Sequence, residues 1–289
     1  MGYDFANSPL GVLIACPAAN VLRIAALAAA PDGALDNDTI GRLRAEVQRG
    51  VLADFDPLDA WPELARGLIG EAPSRMLWAL RDSGALAALL PELDALFGMP
   101  QADNNGEVVD VGEHQFAVAD QLARAGAPLA VRFAGLLFNL GKADSPLQHL
   151  PSHYRHIERA VPRIQAVCAR FRVSAEFTDL ALLAVAEIER VHRAAEMRAG
   201  SIAALLERVD AYAQPQRFAR LMTLCAADYC AFPGAGSVYP KARLMDAALR
   251  ASAEVVLDPE ADDPAEQLLE ARAMAIARAL RSERWAEDE

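Results

Sequence analysis

The stretch Leu136-Leu137-Phe138-Asn139-Leu140-Gly141-Lys142 lies near the centre of the chain and decides how the rest is interpreted. Its apolar residues favour a helix, and Gly141 is the residue type at which such a helix commonly ends. Histidines flank the stretch on both sides, with His114 before it and His153 and His156 after it.

This spacing resembles that of HD-type metal phosphohydrolase domains, in which a lone His, a His-Asp pair and later His or Asp residues bind a divalent metal. It resembles most closely the HD domain of bacterial CCA-adding tRNA nucleotidyltransferases, where the stretch reads His-Asp-Leu-Gly-Lys. Here the His-Asp pair is replaced by Phe138-Asn139. A phenyl ring cannot coordinate a metal, and an amide oxygen carries no charge to offset a divalent cation.

The resemblance extends from Leu22 to Leu249, which is most of the chain. Residues 20–30 are similar to the family's neck helix but retain only Arg23 of its arginines, and residues 61–98 match the body region nearly block for block. The resemblance implies neck- and body-like helices followed by a degenerate HD-like domain. Because a mononucleotide-binding domain needs far more chain than precedes Asn20, we expect the family's nucleotidyltransferase head to be absent.

The composition predicts an all-α fold. Hydrophobic residues make up 53% of the 289 residues and aromatic residues only 6%, and the abundant alanine and leucine are strong helix formers. We divide the chain into a short N-terminal extension (1–19), a neck/body-like helical region (20–100), a degenerate HD-like domain (101–235) and C-terminal helices (236–289).

The charge and the apolar pattern restrict the partners. The formal net charge of −12 and the pI of about 4.9 mean that the phosphate backbone repels the chain unless basic residues are segregated onto one face. No apolar stretch approaches the roughly 20 residues that span a bilayer, and the N-terminus lacks the basic start of a signal peptide. We therefore expect a cytoplasmic protein without membrane contact, whose four cysteines are reduced, buried thiols.

Three segments around the central stretch carry expectations about secondary structure. The polar run Pro100–Asp110 contains Asp103-Asn104-Asn105-Gly106, which predicts a turn or loop. The run Pro128–Leu140 predicts an apolar helix that ends at Gly141. The run His153–Arg172 predicts a long helix that follows a loop.

The resemblance implies a remnant pocket in which the ligand set is incomplete. His114 keeps the first ligand position, Phe138 and Asn139 replace the second and third, His156 keeps a later position, and Asp228 is an acidic residue at the final one. Metal sites of this kind need at least three ligands with supporting carboxylates. His114, His156 and Asp228 lack the bridging aspartate, so we expect neutral, hydrogen-bonded histidines and no cofactor.

The other histidines are weaker candidates. His149 and His153 fall in a loop and at a predicted helix start, where we expect them to be solvated. Glu189 and His192 are three residues apart on one helix and could bind a metal together, although this spacing is common by chance.

Four arginines are candidates for contact with RNA or a nucleotide: Arg23, Arg155, Arg159 and Arg163. Arg23 is retained from the neck-helix pattern. The other three lie on the predicted helix after His153, where a solvated helix face is the simpler interpretation.

The preferred function is a non-catalytic binding or regulatory module related to the C-terminal region of CCA-adding enzymes, with tRNA, a nucleotide or a protein as partner. One alternative is a divergent HD-type phosphohydrolase that uses a divalent metal. Another is a body subunit that works with a separately encoded nucleotidyltransferase head in tRNA 3′-end processing. The sequence leaves the oligomeric state open, and also whether Phe138 fills the remnant pocket.

Overall fold

The computed structural model describes residues 16–103, 106–256 and 264–287, with side chains up to Arg281. Fourteen α-helices and a single two-stranded hairpin make up its regular structure within these ranges. The predicted all-α fold is confirmed. Most of the N-terminal extension, residues 1–15, lies outside the described residues. No helix in the part of the chain described is long and apolar enough to cross a membrane.

The elements divide between two compact units. The first unit comprises Met1–Val185 and Cys230–Ala235, and the second comprises Ala186–Tyr229 and Gly236–Glu289. In chain order the elements are α1 (Pro17–Leu27), α2 (Asn37–Gln48), α3 (Pro57–Ile69), α4 (Pro73–Asp82), α5 (Ala85–Leu89), α6 (Pro91–Asp94), β1 (Pro100–Ala102), β2 (Val108–Asp110), α7 (Val111–Arg124), α8 (Leu129–Leu137), α9 (His156–Arg170), α10 (Ala175–His192), α11 (Ala199–Arg208), α12 (Pro215–Cys230), α13 (Lys241–Ala253) and α14 (Pro264–Glu287).

Aspartates and prolines mark several helix starts. The carboxylate of Asp36 accepts a hydrogen bond from the amide of Thr39 (2.7 Å) at the start of α2, and that of Asp110 accepts one from Glu113 (3.0 Å) at the start of α7. Such caps satisfy amides that have no partner inside the helix. Proline occupies the first position of α1, α3, α4 and α6, where its missing N–H costs nothing.

Aromatic side chains form the interior of the first unit. Trp61 of α3 meets the ring of Phe133 on α8 at 5.2 Å between centroids, and also contacts Phe171 and Phe177. Edge-to-face rings of this kind add to the free energy gained by burial. A second aromatic cluster joins α4, the turn after α6 and α7 through Trp78, Phe97 and Phe116.

In the second unit, the last helix, α14, packs against two other helices. These are α11 and α13. The Arg272 guanidinium of α14 lies 3.6 Å from the centre of the Tyr212 ring and pairs with Glu207. The Tyr212 hydroxyl donates a hydrogen bond to Ser252 Oγ (2.9 Å). Arg272 therefore links α14 to Glu207 of α11 and to Tyr212, which in turn contacts Ser252 of α13.

The turn or loop expected within the polar run Pro100–Asp110 lies between two short antiparallel strands, which the sequence pattern did not predict. Pro100 lies opposite Asp110 and Ala102 lies opposite Val108. The Asp103 side chain accepts a hydrogen bond from the amide of Glu107 (2.7 Å), which closes the turn of the hairpin. Strands of three residues are too short to leave a clear alternating pattern in a sequence.

The four cysteines are free thiols, as predicted, but only two are buried. Cys168 and Cys225 lie in the interior, whereas Cys16 and Cys230 are partly exposed. Burial raises the pKa of the Cys168 and Cys225 thiols, which lowers the reactivity of both.

Candidate functional site

The central stretch spans the end of α8 and the turn that follows it. The helix ends at Leu137, three residues earlier than predicted, and Phe138 keeps a helical backbone beyond it. Asn139 leaves the helix with φ −94° and ψ 0°, and Leu140–Lys142 form a 3-10 turn. Phe138 and Asn139 are only 5% and 3% exposed. The side chains at the expected His-Asp position are therefore part of the interior.

Gly141 does not cap a helix, and instead lets two segments approach closely. It is buried in the 3-10 turn, and a Cβ atom on it would lie 1.9 Å from the carbonyl oxygen of His156. The start of α9 thus packs on the backbone of the central stretch. Only glycine leaves the room that this approach requires.

Two arginines of α9 complete this contact. Arg159 donates to the Gly141 carbonyl through Nε (3.0 Å), to the Tyr154 carbonyl through Nη1 (2.8 Å) and to Ser145 Oγ through Nη2 (2.9 Å). Arg163 donates to the Leu140 carbonyl (3.1 Å) and pairs with Asp144. Both guanidinium groups therefore bind oxygen atoms of the segment between α8 and α9.

His153 is buried, contrary to the solvated position that its sequence context predicts. Its Nε2 lies 2.9 Å from the Pro100 carbonyl, and its Nδ1 lies 2.8 Å from Ser145 Oγ. Because a carbonyl can only accept, Nε2 carries the proton and Nδ1 accepts from the serine hydroxyl. Burial, followed by the charge of Lys142, lowers the pKa of His153 to about 4. His153 is therefore a neutral structural link at physiological pH.

His156 begins α9, which starts three residues later than predicted. The left-handed backbone at His153 (φ 50°) and Arg155 (φ 59°) is incompatible with a helix, so α9 cannot begin before it. The His156 ring is buried, and its Nδ1 lies 3.1 Å from the His153 carbonyl. That carbonyl can only accept, so Nδ1 carries the proton.

His114 lies in the first turn of α7 and borders a cleft of about 410 Å³. Its ring stacks on Phe232 at 4.1 Å between centroids and with 27° between the planes. The cleft is also bordered by Asp110 and Glu113, and two carboxylates beside it oppose the entry of a phosphate group. The acidic border therefore disfavours direct binding of a phosphate group at this cleft.

The residues at the remnant pocket do not fit the divalent metal that the HD resemblance implies. Phe138 offers no donor atom and Asn139 only a neutral one. Asp110, the acidic residue next to His114 in the cleft, accepts hydrogen bonds from the backbone amides of Glu113 and Gly98. Across the residues that the structure describes, no group of three or more His, Cys, Asp or Glu side chains is placed to hold a metal ion.

Asp228 and His192 belong to a hydrogen-bonded network inside the second unit. Asp228 Oδ2 lies 2.8 Å from His192 Nε2, and the Tyr239 hydroxyl lies 2.9 Å from His192 Nδ1. Burial, with Cys225 and Asp228 nearby, raises the pKa of Tyr239, so its phenol keeps the proton. The carboxylate accepts from Nε2–H and the phenol donates to Nδ1. His192 is thus linked to Asp228 and Tyr239, whereas its spacing suggested a metal site shared with Glu189.

The remaining two arginine candidates differ in their surroundings. Arg23 on α1 is about one-third exposed, and its Nε lies 2.8 Å from the Glu63 carboxylate of α3. Arg155 precedes α9 and is mostly exposed, and its Nε lies 3.3 Å from the Glu158 carboxylate in the first turn of that helix. Arg23 therefore connects two helices, whereas Arg155 is largely in contact with solvent.

Sequence reasoning missed a buried carboxylate in the second unit. Glu187 of α10 is 3% exposed, and its oxygens bind Arg208 Nε (2.6 Å) and Arg190 Nη1 (3.1 Å). Arg190 follows Glu187 by three residues, which is a helical ion-pair spacing. Arg208 is 21 residues away in sequence, so only the fold reveals that both arginines share one carboxylate.

Comparison with known proteins gives a consistent result. No protein-family model matches the chain. The multifunctional CCA protein of Cupriavidus necator is 42% identical over 237 residues, covering 81% of this chain and 58% of that protein. That of Burkholderia cenocepacia is 39% identical over 269 residues (90% and 65%), and that of Dechloromonas aromatica is 42% identical over 230 residues (79% and 54%).

The match covers most of this chain but only part of each relative. The chain spans between 54% and 65% of the length of these three curated relatives. Identity near 40% over more than 200 aligned residues indicates common ancestry and a shared fold in the matched part. The chain is thus a homologue of multifunctional CCA proteins over most of its own length, which confirms the resemblance found in its sequence.

Proposed function

We propose that this chain is a non-catalytic module that binds tRNA in tRNA 3′-end metabolism. The observation that carries the proposal is the burial of Phe138 and Asn139 at the expected position of the metal-binding His-Asp pair. An HD-type phosphohydrolase uses its metal to acidify a water molecule for attack on phosphorus. Phe138 offers no donor atom and Asn139 only a neutral amide oxygen, so that reaction has no support from the residues at these two positions.

Two further observations support tRNA as the partner. The chain is about 40% identical to proteins named multifunctional CCA proteins. Its resemblance to the neck and body regions of CCA-adding enzymes implies tRNA contact, since those regions contact tRNA in that family. A binding role also accounts for retained packing residues around a pocket that has lost its ligands.

The non-catalytic part of the proposal is tested by metal analysis of the untagged protein. Calorimetric titration with Mn²⁺ and Ni²⁺ should give no stoichiometric binding. Incubation with Mn²⁺, Ni²⁺ or Co²⁺ should give no hydrolysis of a phosphodiester or a 2′,3′-cyclic phosphate. Tight binding that disappears in His114→Ala, accompanied by hydrolysis, would overturn the proposal and favour the divergent phosphohydrolase.

The tRNA part is tested separately by fluorescence anisotropy with a labelled tRNA. Affinity should fall as the salt concentration rises, because binding to a polyanion releases counterions. A protein that fails to bind tRNA even at low salt would contradict this part, whatever the metal titration shows.

A further inference from the structure

The second unit contains a cleft of about 480 Å³ whose walls carry three arginines, and we call it the arginine cleft. Arg190 lies in the last turn of α10, Arg193 follows that helix, and Arg208 ends α11. The same walls include Glu196, Met197 and Ser201. Three positive charges meet here in a chain whose net charge is −12, so this cleft has a local charge opposite to that of the whole molecule.

Two of the three guanidinium groups are positioned by one buried carboxylate. The buried Glu187 carboxylate lies 2.6 Å from Arg208 Nε and 3.1 Å from Arg190 Nη1. Both arginine side chains remain nearly half exposed. The hydrogen bond with Glu187 raises the pKa of Arg208, which keeps it charged. One carboxylate thus positions two cations and leaves part of each open to the cleft.

The third arginine adds charge that the protein does not neutralise. Arg193 is exposed, and its Nε lies 3.4 Å from the backbone carbonyl of Glu189. Among the described residues, no hydrogen bond or ion pair engages its two terminal nitrogens. Three guanidinium groups therefore border the cleft together with one carboxylate, that of Glu196. The Glu187 carboxylate that binds Arg190 and Arg208 is buried and does not line the cleft.

We infer that the arginine cleft binds phosphate groups of an RNA backbone, an inference that rests on the proposed tRNA-binding function and gives it a contact surface. The planar guanidinium group matches phosphate oxygens in pairs, and arginine is the preferred residue for such contacts. The cleft at His114 is bordered by Asp110 and Glu113 instead, so an anion meets attraction at one cleft and repulsion at the other.

The lining favours a backbone over a free nucleotide. Nucleobases are commonly bound by stacking on aromatic side chains. The described walls of the arginine cleft contain no aromatic residue, and their apolar residues are Met197 and Ala204. A ligand that offers repeated phosphates suits this surface better than one that must also place a base.

The arginines of α9 are less suited to this role. The Nε, Nη1 and Nη2 atoms of Arg159 all bind oxygens of the protein, and Arg163 binds Leu140 and Asp144. An RNA phosphate would have to displace these internal partners. In the arginine cleft, the terminal nitrogens of Arg193 are available without that cost.

The test compares tRNA binding by the wild type, Arg193→Glu and Arg250→Glu. Arg250 of α13 lies in the same unit, is strongly exposed and pairs with Asp246 at 2.8 Å, so its replacement makes the same change of charge outside the cleft. Arg193→Glu should weaken binding roughly ten-fold or more and lower the slope of log affinity against log salt by about 1. Arg250→Glu and Arg193→Lys should stay near the wild type.

The outcomes separate this inference from the function on which it rests. Equal tRNA binding by the wild type and Arg193→Glu would overturn the cleft assignment and leave the tRNA-binding proposal standing. A wild type that binds no tRNA at low salt would overturn both. Inorganic pyrophosphate serves as a competitor, and displacement of tRNA at pyrophosphate concentrations near the tRNA dissociation constant would make the cleft a small-anion site and overturn the RNA assignment.

Discussion

Gly141 packs so closely on His156 that a Cβ atom would lie 1.9 Å from the His156 carbonyl oxygen and 2.7 Å from the Ala160 amide nitrogen. Both of these atoms belong to the backbone of α9, so the strain cannot be relieved by turning a side chain. Gly141→Ala should therefore lower the free energy of unfolding by about 1–3 kcal/mol or more. Urea denaturation followed by circular dichroism measures this change.

The matched control is Gly41→Ala in the interior of α2. A Cβ atom on Gly41 meets no atom within 4 Å, and alanine is favoured over glycine in a helix by about 0.5–1 kcal/mol. This variant should be slightly more stable than the wild type. Equal effects of the two substitutions would show that α9 does not press on Gly141.

The lowered pKa of His153 predicts that the free energy of unfolding depends on pH. Its pKa of about 4 in the folded protein lies below the ordinary value of 6.5, so between these pH values the unfolded chain binds the proton more readily. Stability from the neutral ring is fully present above pH 6.5 and is lost as the pH falls towards 4. The slope contributed by this one group is at most about 1.4 kcal/mol per pH unit.

The direct measurement is an NMR titration of the His153 ring, which should remain neutral at pH 5.5. Carboxylates also titrate in this range, so the stability of the wild type is compared with that of His153→Gln at each pH. The difference between the two proteins should change between pH 4 and 6.5 and stay constant above it. A ring that protonates near 6.5 would contradict the buried position.

Glu187 should matter more for stability than an exposed glutamate in a similar pair. Glu187→Gln removes the buried charge that holds Arg190 and Arg208, and we expect a loss of about 1–3 kcal/mol. Glu158, which is 62% exposed and pairs with Arg155, serves as the control. Glu158→Gln should cost less than about 0.5 kcal/mol. Denaturant unfolding of both variants tests the difference, and similar losses would contradict a structural role for Glu187.

Phe138 is expected to fill interior volume. Phe138→Ala should cost about 3–5 kcal/mol, because a buried ring is lost and a cavity remains. Phe138→Leu, which keeps much of the apolar volume, should cost less than the alanine variant. Thermal or urea unfolding gives both values. A cost for Phe138→Ala below about 1 kcal/mol would mean that the ring does not pack in the core.

Local sequence signals were sufficient for much of the fold. The apolar run Pro128–Leu140 correctly predicted a helix, which begins at Leu129 and ends at Leu137. This pattern depends on neighbours within one helical turn. The burial of His153 depends on Pro100, which is 53 residues away in sequence. It also depends on the left-handed backbone of His153, which the residue type does not predict.

The arginines illustrate the same limit. Five arginines lie between residues 155 and 172 and form an obvious basic run in the sequence. Two of them, Arg159 and Arg163, nevertheless bind the loop after α8. Arg208 is inconspicuous in the sequence and shares Glu187 with Arg190 only because two helices meet. Charge spacing predicts contacts along one helix, whereas partners on another helix require the fold.

The interior position of Phe138 also bears on reversibility during evolution. Phe138→His alone would place a polar ring in an apolar interior, and Asn139→Asp alone would bury a carboxylate. Each first step towards a metal-binding pair therefore lowers stability before any metal can compensate for it. A return to the pair by single substitutions would therefore pass through a variant that is less stable than the present protein.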